Sequence, residues 1–372
     1  MARTALLSGA PLALARAQLL AAAASIDFCV DEATQGLELS LDLAHLNGSE
    51  RTALAGRIGA GLCDLYMDSL GYVWRDQASA LISTRAPLAD FLYEGGAVAG
   101  RGVALAEAKG STQRRGIVGT QSVADAAYRR QVARYLGNST PAGNVLHGYA
   151  VGLCAALGKP AYLCIAETGA STPMGPSGAG SDDDLQPGVG FRAVSLSTAL
   201  GNYGVALWLS GFRSLGSRLR GLRTGEGSTP AIADELMEVI AQHRRGFVGG
   251  GTLGMDAPHE VGFVLRVEPL RALAGQLSDM PPSQRRPSMI ELPVLRPRPD
   301  TSEDGEFIQF TDGLVVFQVS HEEAETMAVA RPDAPSRRLK TSAEEIEQLL
   351  LDAERAKREA EAKEQQHYRA EF

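Results

Sequence analysis

The sequence predicts an α/β protein, and three observations support that fold class. The stretch from Gly102 to Gly110 is apolar until its last residues, which is typical of a strand covered on both faces. Around this central strand, the predicted order is a helix, two strands, a second helix and two more strands. The composition, 44% hydrophobic and 22% charged over 372 residues, is that of a globular protein able to bury a sizeable core.

Two helices are predicted before the strands. Residues 3–24 are rich in alanine and leucine and predict the first of them. Ser49 is a suitable N-cap for a second helix over Glu50–Leu70, and Gly71 is a suitable terminator. Three glycines weaken this second helix, which predicts that another element approaches its backbone closely. They are Gly56, Gly59 and Gly61.

The strands and the helix between them are predicted from short apolar runs and capping signals. In addition to the central strand, four runs predict strands: Tyr72–Trp74, Pro87–Tyr93, His147–Ala156 and Ala161–Ala166. Between the central strand and the last two runs, Ser122 and Asp125 form a capping-box pattern that predicts a helix start. Gly137 is placed to end that helix, whose apolar stripe contains Tyr128 and Tyr135.

The second half of the chain is less regular. Thr168–Gly190 predicts a surface loop, and residues 191–275 predict helical segments that include Asn202–Leu222. Pro281–Asp304 predicts an extended connection. Asp312-Gly313 predicts the turn of a hairpin within Phe307–Val319.

The last residues, Thr341–Phe372, predict a charged helix that is solvated or binds a partner. The chain therefore divides into four predicted regions. They are an N-terminal helical or mixed extension at 1–48, an α/β core with insertions at 49–275, a linker with a small β-hairpin at 276–335 and the charged C-terminal helix at 336–372.

Charge and cysteine content narrow the class of protein. A net charge of −8 argues against a protein that coats nucleic acid over its whole surface. The segment from Arg101 to Arg134 is nevertheless basic, with seven arginines and lysines against two acidic residues. The four cysteines show no CxxC pairing and no zinc-ligand spacing, which predicts reduced thiols in a cytoplasmic protein. No run reaches the roughly 20 apolar residues of a membrane-spanning helix.

The central strand ends in two charges, Glu107 and Lys109. Side chains alternate along a strand, so both point to the same face while Ala108 points to the other. Charges at the end of a buried strand cost free energy unless something binds them. The chain has only five lysines against 31 arginines, and none precedes Lys109. The pair therefore predicts a functional site.

Asp90, Glu107 and Lys109, together with the helix after them, resemble the PD-(D/E)XK, or restriction-endonuclease-like, nuclease superfamily. Pro87-Leu88-Ala89-Asp90 stands where that family has Pro-Asp, and Glu107-Ala108-Lys109 stands where it has Glu-x-Lys. The resemblance covers roughly residues 49–167. It implies a mixed sheet flanked by helices, built from a helix, a three-stranded meander, a helix and a further strand. It also implies that Gln131, on the helix after the central strand, lies near the site.

Several assignments stay open. Leu88 and Ala89 separate the proline from the acid, so Asp76 or Glu94 are alternatives for the second acid. Many family members have a glutamate on the first helix, for which Glu50 and Asp64 are the nearest candidates. Glu107 and Lys109 could instead form only an ion pair at the strand end.

The resemblance implies a divalent metal, Mg²⁺ or Mn²⁺, held by Asp90, Glu107 and the Ala108 carbonyl. Oxygen ligands suit Mg²⁺, and a bound metal activates water and polarises a phosphate. Lys109 would orient that water or stabilise developing negative charge. Four arginines would hold the nucleic-acid backbone without reading its sequence. They are Arg114, Arg115, Arg129 and Arg130.

The function expected from the sequence is that of a metal-dependent deoxyribonuclease, such as an endonuclease of defence or DNA processing. The alternative is a non-catalytic interaction protein on a nuclease-like or other α/β core, which binds a protein partner through the C-terminal helix. DNA is the expected partner of the first function, and a homodimer is compatible with both.

Overall fold

A computed structural model describes residues 37–96, 102–113, 116–169, 190–243, 246–253, 259–280, 289–302 and 305–320. The α-helices within these ranges are α1 (Gly48–Ser69), α2 (Gly116–Ala127), α3 (Leu196–Leu209), α4 (Arg213–Gly221), α5 (Thr229–Gln242) and α6 (Val267–Ser278). The first six strands are β1 (Trp74–Gln77), β2 (Phe91–Glu94), β3 (Val103–Ser111), β4 (Ser139–Thr140), β5 (Gly143–Cys154) and β6 (Tyr162–Glu167). The others are β7 (Gly190–Ser195), β8 (Phe247–Leu253), β9 (His259–Arg266), β10 (Met289–Val294), β11 (Arg298–Ser302), β12 (Gly305–Gln309) and β13 (Leu314–Ser320). The fold is therefore mixed α/β, as the sequence predicts.

The first sheet is mixed and contains the predicted central strand as β3. Its strand order is β1-β2-β3-β5-β4, and β6 pairs with the other end of β5. β2 runs antiparallel to β3, whereas β5 runs parallel to it and comes after the crossover through α2. Ala104 and Ala106 face a core shared with α1, and Leu105 faces a second core shared with Val132 and Tyr135. β3 is therefore covered on both faces, which explains its nearly continuous apolar sequence.

Helix α1 approaches β3 more closely than ordinary side chains allow. A Cβ atom added to Gly110 would lie 1.8 Å from the Ala55 carbonyl oxygen, and one added to Gly59 would lie 3.1 Å from Gly110 Cα. The predicted close approach is thus confirmed at Gly59. The N-cap of α1 is Asn47 rather than the predicted Ser49, because the Asn47 side chain accepts the Glu50 amide at 2.9 Å.

The second helix of the core starts earlier than its capping pattern predicts. α2 begins at Gly116, so Ser122 lies within the helix and its assignment as a cap is wrong. The Asp125 carboxylate accepts the side-chain amide of Gln121 at 2.9 Å instead. After α2 the chain continues through one π-helical turn at Tyr128–Val132 and one 3-10 turn at Ala133–Tyr135.

Strands interrupt the second half of the chain where the sequence predicts helices or an irregular connection. β8 and β9 lie within the predicted helical region and form a five-stranded sheet in the order β11-β12-β13-β9-β8. β10 and β11 lie within the predicted connection, and β10 pairs with β7. The helical stretch predicted over Asn202–Leu222 is divided between two helices, α3 and α4, which separate at Gly211, where φ is +98°.

The hairpin predicted around Asp312-Gly313 is confirmed. β12 and β13 pair across this turn, and Gly313 has a φ of +89°. β13 also pairs with β9, so the hairpin is part of the five-stranded sheet. The predicted helices at 3–24 and Thr341–Phe372, and residues 170–189 of the predicted loop, lie outside the described residues. The division of the chain into four regions stays a prediction.

A helix that crosses a membrane must be both long and apolar. Among the described residues, no helix is both long enough and apolar enough to do so.

Candidate functional site

The structure places Asp90 beside Glu107. Phe91 at the start of β2 pairs with Ala106 of β3, so Asp90 lies next to Glu107 across the two strands. The Asp90 amide donates to Glu107 Oε2 at 3.0 Å, and the Ala108 amide donates to Asp90 Oδ2 at 3.0 Å. Reciprocal bonds of this kind fix both carboxylates relative to the backbone between them.

Glu107 is fully buried, whereas Lys109 is partly exposed, and their side chains form an ion pair. The sequence predicts that the two point to the same face, and this ion pair confirms it. Burial and, to a smaller extent, the nearby Asp90 carboxylate raise the pKa of Glu107 while Lys109 opposes the shift, and the resulting pKa is about 7. A second positive charge beside Glu107 would therefore be favourable.

The donor atoms at this point suit a hard divalent cation. Asp90 contributes an exposed carboxylate, Glu107 contributes a buried one, and the Ala108 peptide lies between them. Carboxylate and carbonyl oxygens are the ligands that Mg²⁺ prefers, and the ion usually keeps several waters as its remaining ligands. In the part of the chain that is described, no group of three or more His, Cys, Asp or Glu side chains converges as a metal site. A metal here would depend on two side chains.

The alternative second acids have other partners. Asp76 is buried and forms an ion pair with Arg223 at 2.8 Å. Glu94 lies at the opposite end of β2 from Asp90 and accepts the Ser195 amide at 2.9 Å and the Ser195 hydroxyl at 2.6 Å. Burial raises the pKa of both carboxyls. Asp90 is therefore the acid that β2 brings to Glu107.

The candidate acids on the first helix also have structural partners. Glu50 completes the capping box at the start of α1. Asp64 is buried with Arg75, to which it forms an ion pair, and accepts the Tyr93 hydroxyl at 3.1 Å. Burial alone would lower the pKa of Arg75, but the Asp64 carboxylate and two further aspartates raise it. Glu50 and Asp64 are therefore held by partners at the start of α1 and on β1 and β2.

The segment before β2, which we call the acid loop (residues 84–90), is held by side chains from the two helical turns that follow α2. The Gln131 side-chain amide donates to the Leu88 carbonyl at 3.1 Å. The Tyr135 hydroxyl lies 3.0 Å from the Pro87 carbonyl and 3.4 Å from that of Ala86. The sequence alone assigns Tyr135 only to an apolar stripe. Its four-residue spacing from Gln131 is the signal that places both on one side of a helix.

Two of the four predicted nucleic-acid-binding arginines are described. Arg129 and Arg130 are exposed and lie in the π-helical turn directly before Gln131. Arg114 and Arg115 lie outside the described residues. Arg129 and Arg130 are thus next in sequence to Gln131, which holds the acid loop.

The chain was compared with models of known protein families, with curated proteins and with solved structures, and no match was found.

Proposed function

We propose that this protein is a metal-dependent nuclease that hydrolyses phosphodiester bonds, with DNA as the expected substrate. The observation that carries the proposal is the placement of Asp90 beside Glu107 with Lys109 on the same strand end. Apart from the two-residue strand β4 before β5, the order α1, β1, β2, β3, α2, β5, in which β5 runs parallel to β3, agrees with the element order that the PD-(D/E)XK resemblance implies. This agreement supports a restriction-endonuclease-like core.

The residues that would hold Mg²⁺ or Mn²⁺ are Asp90, Glu107 and the Ala108 carbonyl. When bound, such an ion lowers the pKa of a water molecule and offsets charge on a phosphate. Asp90 and Glu107 bring negative charge into a site where burial already disfavours ionised Glu107. This arrangement makes cation binding favourable, because the cation compensates the carboxylates.

Besides the metal, Lys109 supplies a positive charge to the proposed site from the protein itself. Its ammonium group contacts Glu107 and remains partly exposed, so it can reach a phosphate oxygen or a water molecule at the mouth of the site. Fixed positive charge is effective where negative charge develops during phosphodiester cleavage. Arg129 and Arg130, which are exposed, would bind backbone phosphates and make binding dependent on salt.

The decisive experiment measures nicking of plasmid DNA by the full chain with Mg²⁺, with Mn²⁺ and with EDTA. We expect cleavage that requires the metal and that is lost in Asp90→Asn, Glu107→Gln and Lys109→Met. Matched changes at exposed residues elsewhere serve as controls, namely Asp234→Asn, Glu291→Gln and Lys159→Met. Lys109→Met should still bind Mn²⁺, because an ammonium group is not a metal ligand.

The alternative function, that of a non-catalytic interaction protein, predicts a different role for the ion pair between Glu107 and Lys109. In such a protein this pair would only stabilise the strand end. Removing Lys109 would then leave a buried carboxylate poorly compensated and destabilise the fold by about 3 kcal/mol. Wild-type protein that never nicks DNA, together with a strongly destabilised Lys109→Met, would reject the nuclease.

A further inference from the structure

Two tyrosines in the helical turns that follow α2 have different hydroxyl partners. Tyr128 and Tyr135 are seven residues apart, so a regular α-helix would place them on nearly the same face. Here the regular α-helix is replaced by a π-helical turn at Tyr128–Val132 and a 3-10 turn at Ala133–Tyr135. The Tyr128 hydroxyl contacts Thr168 Oγ1 at 2.8 Å, whereas the Tyr135 hydroxyl reaches the acid loop.

The acid loop has no regular secondary structure of its own, and its backbone depends on other elements. The carbonyls of Pro87 and Leu88 accept bonds from Tyr135 and Gln131. Ala89 is buried against the core that contains Tyr135. At its end, the Asp90 carbonyl accepts the Ala78 amide at 3.1 Å. The position of Asp90 is therefore set by contacts at Asp90 itself and at the three residues before it.

We propose that the Tyr135 hydroxyl is a positioning group for Asp90. It fixes the carbonyls of the acid loop, and the loop in turn fixes the Asp90 carboxylate opposite Glu107. The phenol ring of Tyr135 contributes separately to the core, where it is buried. The hydroxyl and the ring can therefore be separated by mutation. That Asp90 serves as a metal ligand rests on the proposed function, whereas the fixing of the loop does not.

The test compares Tyr135→Phe with Tyr128→Phe in the full chain. Both changes remove one hydroxyl from the same helical segment and keep the ring, but only Tyr135 contacts the acid loop. The measurements are Mn²⁺ affinity by electron paramagnetic resonance, metal-dependent nicking, thermal melting and amide hydrogen exchange at Asp90 and Ala108. These two amides bond to the Glu107 and Asp90 carboxylates, so their exchange reports the geometry of the acid pair.

We expect Tyr135→Phe to weaken Mn²⁺ affinity about 10- to 100-fold, as is typical for residues that orient metal ligands. Nicking should fall in parallel, and both amides should exchange faster, while the melting temperature stays close to that of Tyr128→Phe. Tyr128→Phe should resemble the wild type in every measurement. Equal Mn²⁺ affinity and equal amide exchange in the two variants would overturn the proposal.

Two further outcomes remain informative. If Tyr135→Phe does not fold, Gln131→Met removes the other donor to the acid loop, and unchanged exchange at Asp90 in that variant would count against positioning. If the wild type neither binds Mn²⁺ nor cleaves DNA, the proposed function fails. Faster exchange at Asp90 and Ala108 in Tyr135→Phe would even then support the role of the hydroxyl in holding the loop.

Discussion

Glu107 is the residue on which the proposed site depends most. The side chain is fully buried in an otherwise apolar strand, and one lysine compensates it. Strand alternation predicts its direction and its neighbour Lys109 from the sequence alone. The sequence proposes Asp90 as the second acid of the site but leaves Asp76 and Glu94 as alternatives, because the choice depends on the register between β2 and β3. That register brings together residues 17 positions apart in sequence.

The raised pKa of Glu107 predicts how stability depends on pH. Its value of about 7 in the folded protein lies above the 4.5 of an ordinary glutamate. The folded state therefore binds the Glu107 proton more tightly than the unfolded state does. The contribution of this proton to the stability of the fold is complete below pH 4.5 and is lost as the pH rises to 7. The loss amounts to about 3 kcal/mol.

Urea unfolding of wild type and Glu107→Gln at several pH values isolates this contribution, because other titrating groups cancel in the difference. The stability of the wild type relative to the variant should fall between pH 5 and pH 8. Mg²⁺ should stabilise the wild type more at pH 8 than at pH 5, since it binds the ionised carboxylate. A difference that does not change with pH would contradict the raised pKa.

At the scale of elements, the contact between α1 and β3 requires glycine. Gly110 comes directly after Lys109, and its backbone lies against the Ala55 carbonyl of α1. The sequence signal for this contact is three glycines in one helix, where each costs helix stability unless it allows close packing. By contrast, the glycine-rich β8 carries no strand signal, because such sequences have weak β propensity and β8 depends on pairing with β9.

We therefore predict that Gly110→Ala destabilises the protein. The new methyl group would meet the Ala55 carbonyl at 1.8 Å, and backbone on both sides would have to move. Overpacking of this kind costs about 3 kcal/mol. Gly275→Ala in α6 is the matched control, since its Cβ would meet nothing within 4 Å. Helix propensity should make that control neutral or slightly stabilising. Chemical denaturation of both variants checks the prediction, and equal stabilities would contradict it.

At the scale of the whole molecule, buried polar residues join the five-stranded sheet to the first sheet through helices α1 and α3. Asp312, in the turn between β12 and β13, accepts the Asn202 side-chain amide at 2.9 Å and, through its carbonyl, the Tyr203 hydroxyl at 3.2 Å. Thr311 donates to Asp68 of α1 at 3.0 Å. The turn was predictable from Asp312-Gly313, but its partners were not, because they lie more than 100 residues away in sequence.

The last prediction concerns this connection between the sheets. Asp312→Ala leaves the Asn202 amide without its acceptor and removes a buried negative charge that helps to compensate Arg75. Breaking a buried network of this kind destabilises proteins by about 3 kcal/mol. Asp234→Ala, at an exposed position of α5, is the control and should change stability little. Trp74 of β1 donates to Tyr203, which also contacts Asp312, so tryptophan fluorescence during urea unfolding reports on the joined region. An Asp312→Ala midpoint equal to that of Asp234→Ala would show that the turn does not hold the two sheets together.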